Sequence, residues 1–513
     1  MTLKTLPNTN STSLLCAATT LLAAMVVTCP AAETKPVFTD SSITTAVDSD
    51  LWFTKGVSPY SIDVSTNQGI VTLSGSTDNL MSKERAVTVA ASIRGVRGVI
   101  DRIAVTPVSR PDEDIRKNIL TALFQDPATE SYQVAVSVKD AVASLTGSVG
   151  SRAESQLAAR IAKGVKGLKE IRNELIVNYA ARRTDAEIAA DVKAELQWDI
   201  WVNGDLINSS VKDGKVTLSG ATGSAVAEMR AVDDAWVNGV SAVDDSGLKV
   251  EPWANDEMRR KNPLVIKSDS EIQQAIEASL HRDPRVSSFA PNVRVEDGVV
   301  ILSGAIGNLK ARAAAQRDAR DTVGVWSVDN LLKVRPNHTA PAAELEADLK
   351  AALQWDPLLT DTKIEAAVIG RVAYLSGGVA DSFQRSEAGD VASRTKGVGV
   401  VVNHLKVEPE YSVYDYAGPY SYYDWPYSDE FVERFGPVPP ESDEEIKKSI
   451  ERAFFWSPFV RSADIQVTVH GGVATLSGKV GSWIGWGEAD RDAHKIGATA
   501  VIDLLTVNHS SWF

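Results

Sequence analysis

Hydrophobic positions along this chain follow two alternating periods, and the pair of periods recurs six times. The first period is helical. Ile43, Val47 and Leu51 stand four residues apart, and so do Ile115/Ile119/Leu123, Ile188/Val192/Leu196, Ile272/Ile276/Leu280, Leu345/Leu349/Leu353 and Ile446/Ile450/Phe454. A row at i, i+4 and i+8 is one apolar face of a helix. The second period is two, as in Val293–Gly304 or Ile465–Gly478. Such alternation marks half-buried strands, and Asp297-Gly298 or Gly471-Gly472 inside it predicts a tight hairpin turn. Every alternating stretch ends in a variant of Val-Thr-Leu-Ser-Gly. Its last glycine, Gly75, Gly147, Gly220, Gly304, Gly377 or Gly478, lies 24 residues beyond the third residue of the helical row in all six copies.

Start and stop signals complete the unit. Thr184-x-x-Glu187, Ser268-x-x-Glu271 and Ser442-x-x-Glu445 read as capping boxes for the first helix. Four residues past each aligned glycine stand Asn79, Ser151, Ser224, Asn308, Asp381 and Ser482, all of them side chains that cap a helix N-terminus. An Ala- and Arg-rich second helix follows and stops at Gly95, Gly167, Gly239, Gly324, Gly397 or Gly497. A last strand closes at Val105, Val177, Val250, Val334, Val407 or Val507. The predicted unit is helix–strand–strand–helix–strand, an α+β domain. Its strand–helix–strand part makes a right-handed crossover, so each sheet is three-stranded and mixed, with both helices on one face.

These residues resemble the BON domain (bacterial OsmY and nodulation). The likeness rests on the Val-x-Asp-Gly-x-Val-x-Leu-Ser-Gly pattern and on closing segments such as Gly324–Val334 and Gly397–Val407. The third copy departs by one extra residue in Gly239–Val250, and the sixth by Gly497-Ala498 and by Gly485 and Gly487 in its second helix. On this reading the units span residues 39–107, 111–178, 184–251, 268–335, 340–408 and 441–508, with linkers at 252–267 and 409–440. The uneven gaps predict a division into copies one to three, copies four and five, and a detached sixth. The resemblance implies a periplasmic protein of osmotic or envelope-stress protection, with phospholipid binding in some members.

Composition narrows the rest. The 513 residues carry a formal charge of −14, which disfavours a general nucleic-acid binder. Residues 1–31 read as a signal peptide: Lys4, an apolar run from Leu14 to Val27, then Cys29-Pro30-Ala31-Ala32. A lipoprotein acylated at Cys29 is the minor alternative. Cys16 and Cys29 both lie in this segment, so a processed chain has neither disulfide nor thiol chemistry.

Candidate chemistry is sparse, and no catalytic residue, metal site or cofactor is expected. The phrase serine has no base at a fixed position and becomes Thr146 in copy two, so it reads as a strand end beside a left-handed glycine. His281, His338, His404, His470, His494 and His509 have no metal-site spacing. Asp126, Asp199, Asp283 and Asp356 share one position, where a helix-ending turn favours Asp.

Two groups are candidates for lipid contact. Trp198, Trp355 and Trp456 occupy one position near the end of the first helix, read either as packing on the sheet or as a row of tips for lipid or partner. Arg160, Lys163, Lys166, Lys169 and Arg172 form a basic cluster at the end of copy two's second helix, either a solvated face or a contact for anionic headgroups. Seven tyrosines between Tyr411 and Tyr427 make the second linker unusually aromatic. The expected function is binding to phospholipid or envelope surfaces, the alternative a non-enzymatic protein–protein scaffold. Oligomeric state is left open.

Overall fold

The computed structural model describes residues 38–507 apart from 55, 58–60, 130–131, 252, 255–266, 337–339, 360–361, 381, 408–441, 461–463, 481–482, 496–497 and 499. The signal-peptide and Cys29 readings, the Tyr-rich linker, His338, His509, Gly497 and the caps at Asp381 and Ser482 lie outside the described residues. The described residues form one compact unit.

Within it the helix–strand–strand–helix–strand order recurs six times. In copy one the elements are a helix Asp40–Phe53, strands Ile62–Asn67 and Ile70–Thr77, a helix Leu80–Ala91 and a strand Gly98–Val105. The hairpin pairs antiparallel and the last strand adds parallel to the middle one, which is the mixed sheet expected. Every residue of the six helical rows is buried, for example Ile119, Val192 and Ile276 at 0% exposure. Each such aliphatic side chain contributes roughly 1.5–3 kcal/mol, so the row is what fastens the first helix to the sheet.

Local signals fix the ends. The side chains of Asn79, Ser151, Ser224 and Asn308 each accept the N–H three residues on. The capping boxes at Thr184, Ser268 and Ser442 are formed, and Thr39 with Ser42 makes another. At the phrase glycine the chain requires the absence of a side chain. Gly147 has φ +126°, and a Cβ there would stand 2.0 Å from the Gln133 carbonyl oxygen. That close approach, repeated in copies one, three, five and six, answers for the glycine and leaves the serine before it a strand residue.

Two irregularities depart from the pattern. The extra residue of copy three is taken up as a bulge where the last strand's pairing jumps between Thr217 and Ser219. In copies four and five the last strand is interrupted, at Asn330 and Asn403. There the Asn330 and Asn403 amides donate back to the second-helix carbonyls of Arg312 and Arg385.

Copy six is not detached. It packs on copies one, three and four, and copies one to three close around their second helices. Lys163 of copy two pairs with Glu84 of copy one, while Gln156 of copy two reaches Asp233 of copy three. Arg152 lies over the Trp236 ring, and Ala225 of copy three completes the core of copy one.

Candidate functional site

The most regular feature above the single unit is how units meet. The carbonyl of Trp198 accepts the N–H of Val323 at 2.9 Å, that of Trp355 the N–H of Lys166 at 2.9 Å, and that of Trp456 the N–H of Arg94 at 2.8 Å. In each case the acceptor ends a first helix and the donor immediately precedes the glycine that stops a second helix. The pairs are copies three with four, five with two, and six with one. Where copies three, five and six carry Trp, copies four, two and one carry Arg282, Gln125 and Phe53. Every tryptophan-bearing unit thus meets one that lacks it. A helix end leaves its last carbonyls without partners, and the neighbouring unit supplies one.

The tryptophan side chains follow the same division. Trp198 packs against the core of copy four and Trp456 against that of copy one. Lys267 lies 4.8 Å from the Trp198 ring, and Phe38, Phe455 and Trp456 stack among themselves at 5.4–6.5 Å. All three tryptophans are half-buried at junctions.

The shared aspartates turn the chain out of the helix, as their position implies. Asp126, Asp199, Asp283 and Asp356 each accept the N–H two residues on, at 2.6–2.9 Å, and Ser457 does the same from Phe459 at 3.3 Å. Sequence reading missed their second partners. Asp199 pairs with Arg230, which also meets Asp234 at 3.7 Å and, across the junction, Asp321 of copy four at 3.5 Å. Asp356 pairs with Arg394 at 3.4 Å, and Arg394 with Glu387 at 2.7 Å. Glu195 of copy three meets Arg282 of copy four at 2.5 Å.

These junctions hold more carboxylates than guanidiniums, and the acids respond. Burial pushes Glu195 up to about 7, Arg282 opposes the shift, and Asp199 and Asp191 add to it. Burial and the neighbouring Glu387 push Asp356 to about 7 against the pull of Arg394. Asp234 and Asp321 are raised as well, by burial and the charge of Asp199. Among the described residues no group of His, Cys, Asp or Glu is arranged to hold a metal ion.

The members of the basic cluster have different surroundings. Lys163 is committed to Glu84. The Lys166 backbone is committed to Trp355, and its carbonyl takes the Arg110 guanidinium at 2.9 Å. Arg160 keeps an exposed side chain, within reach of the charges of Arg285 and Arg317 of copy four. Lys169 and Arg172 are exposed, the latter beside Glu170 at 3.1 Å.

A second set of acids was legible but unread. Asp40, Asp112, Asp185, Asp269 and Asp443 begin five first helices, 35 residues before the phrase glycine. Each carboxylate accepts both N–H groups of its hairpin turn, as Asp443 does from Gly471 at 2.9 Å and Gly472 at 2.8 Å. Copy five has Ala342 there. Of its two turn residues, Gly370 and Arg371, only Gly370 has positive φ, whereas the five clamped turns have two.

The fold and its junctions define an array of six small αββαβ units. Comparison with known families matches the BON domain six times, at residues 39–107, 111–179, 184–252, 268–336, 341–409 and 442–509, and the chain belongs to that family. It is 34% identical over 143 residues to the osmotically-inducible protein Y of Escherichia coli K12, a match covering 26% of this chain and 71% of that protein. Among solved structures it is similar to the C-terminal domain of CdsD, a structural protein of the type III secretion system of Chlamydia trachomatis. The identity is 16% at a TM-score of 0.13, covering 45% of this chain and 100% of that one. A second CdsD structure gives 14% and 0.12, with 44% and 98% covered.

Proposed function

We propose that the chain is an exported, non-enzymatic envelope protein of osmotic-stress protection whose units contact anionic phospholipid surfaces. Family membership and the similarity to osmotically-inducible protein Y support the stress reading. The observation that carries the lipid reading is the uncovered face of the sheets. Helices cover one face only, and the other leaves Ile176 64% exposed in copy two, Ile369 69% in copy five and Leu504 59% in copy six. In copy two, Ile176 shares its strand and face with the exposed cation Arg172, and Lys169 directly precedes that strand. Apolar side chains beside cations suit a headgroup boundary, each cation adding about 1 kcal/mol near an anionic leaflet.

Liposome co-sedimentation tests this. Vesicles with anionic lipid should retain the protein at low salt and release it at high salt, because screening shortens the field to about 10 Å at 0.1 M. The Lys169→Glu/Arg172→Glu variant should lose most of the binding, and neither position joins a junction. Binding equal to wild type in that variant removes these residues from the reading. No sedimentation at any salt favours a protein–protein scaffold.

A further inference from the structure

The ladder registers show what stands on the uncovered sheet face of each copy. Next to the hairpin turn, two rows of three side chains cross that face. In copy five the rows are Ile369–Val372–Val400 and Ala367–Tyr374–Val402. Ile369 is 69% exposed, Val400 50% and Tyr374 36%, while Ala366, Val368, Ala373 and Leu375, in alternation with them, fill the core. Apart from the Tyr374 hydroxyl neither row holds a polar group. In each of the other five copies at least three of the six equivalent residues are polar or charged. Copy two, for example, carries Lys139–Val142–Glu170 and Ser137–Ser144–Arg172 there. A sheet with one buried face ordinarily keeps the other polar, and a contiguous apolar patch in its place marks a contact surface.

We propose that the open face of copy five binds the same face of a second molecule of this chain about a twofold axis. Identical faces fit only if they complement themselves, and these do. The axis lies between the two sheets and runs across the strands, midway between the two rows. Each strand then lies over its own counterpart with the rows exchanged. Ile369 faces Ala367, Tyr374 faces Val372, and Val400 faces Val402. Two of the three pairs set a large side chain against a small one, which lets facing sheets interdigitate at about 10 Å.

Charge follows the same symmetry. The axis carries the hairpin turn of one chain, with Arg371, over the row beyond Tyr374 in the other, where Glu365 pairs with Ser376. Both charged side chains are exposed, and the Arg371 guanidinium donates to the Pro336 carbonyl at 2.9 Å. An Arg371–Glu365 pair therefore brackets the apolar rows at either end, and such complementarity fixes register. The contact is small. Three strands about 4.8 Å apart and four rows about 7 Å apart cover roughly 400 Å² on each chain, about half of what a standard interface buries. The dimer is therefore weak and concentration-dependent. It is separate from the lipid contact, whose cations Lys169 and Arg172 belong to copy two.

The test is sedimentation velocity on the full chain, under reducing conditions so that Cys16 and Cys29 form no cross-link. The wild-type mass should rise with concentration from one chain towards two, and Tyr374→Glu should stay at one chain over the same range. Glu365→Arg and Arg371→Glu, each alone, set like charges together across the axis and should weaken association about tenfold. Mixed in equal amounts they should regain it to within about threefold of wild type, because each arginine at these positions again faces a glutamate. All three positions are exposed, so a native circular dichroism spectrum should accompany every change. Wild type that keeps the mass of one chain overturns the proposal. So does Tyr374→Glu that associates as wild type does, or a mixture no tighter than its two parents. Loss of liposome binding in Tyr374→Glu, beside a wild type that never dimerises, assigns the face to lipid and overturns it as well.

Discussion

The carbonyl of Trp198 meets the N–H of Val323 at 2.9 Å, across 125 residues of sequence and between two separate cores. The ring of the same residue lies on the core of copy four, not of copy three. One residue therefore closes a helix end with its backbone and a junction with its side chain.

Replacing Trp198 with Ala should leave the backbone bond possible and remove the packing. Large-to-small changes of aromatic residues cost 3–5 kcal/mol when fully buried, so a half-buried junction residue should cost about 2–3 kcal/mol. Hydrogen exchange at the Val323 amide is the readout. Protection there should fall at least tenfold, while amides of the Ile62–Asn67 strand in copy one keep theirs.

The junction acids predict how stability moves with pH. A carboxyl group whose native pKa is raised binds its proton more tightly folded than unfolded. Its stabilisation is full below 4.5 for Glu195 and is lost as pH rises through about 7. Thermal midpoints should therefore fall between pH 5 and 8. Glu195→Gln should flatten that slope by about 1–3 kcal/mol across the interval, given 1.36 kcal/mol per pKa unit. A slope identical to wild type would show that Glu195 does not titrate there.

Copy two closes its hairpin with Asp140 at φ +52° and Ala141 at φ +61°, both non-glycine residues in the left-handed region. Clamping by Asp112 holds them there. Such a conformation costs an L residue on the order of 1–2 kcal/mol. Ala141→Gly should stabilise the protein by about 0.5–1 kcal/mol in urea titration, and Asp112→Ala should destabilise it by a similar amount or more.

The phrase glycines are not equivalent. A Cβ at Gly220 would lie 2.1 Å from the Leu206 carbonyl oxygen, whereas at Gly304 its nearest neighbours stand 3.9 Å away. Gly220→Ala should cost more than about 3 kcal/mol and Gly304→Ala about 1–2 kcal/mol, the latter from its φ of +118° alone. Equal losses would mean that the close carbonyl gives way.

What the chain alone determined is the unit. The helical row, the alternating strands, the caps at Asn79 or Ser224 and the stop glycines are local, because backbone hydrogen bonding and a single buried face act over a few residues. Six repetitions then separate signal from accident. The Asp at the head of the first helix recurs in five copies of the six, but its partners lie 28 and 29 residues away, and at that range an acidic first turn reads only as capping. Only the tertiary structure decided the pairing of units. Trp198, Trp355 and Trp456 are half-apolar surfaces that satisfy a core of either their own unit or the next, and periodicity within a unit does not distinguish the two. Lys163 read as part of an open basic face for the same reason. Its partner Glu84 comes from another copy, as does the Trp355 carbonyl that takes the Lys166 backbone N–H, and which copies meet depends on surfaces complementing one another rather than on spacing along the chain.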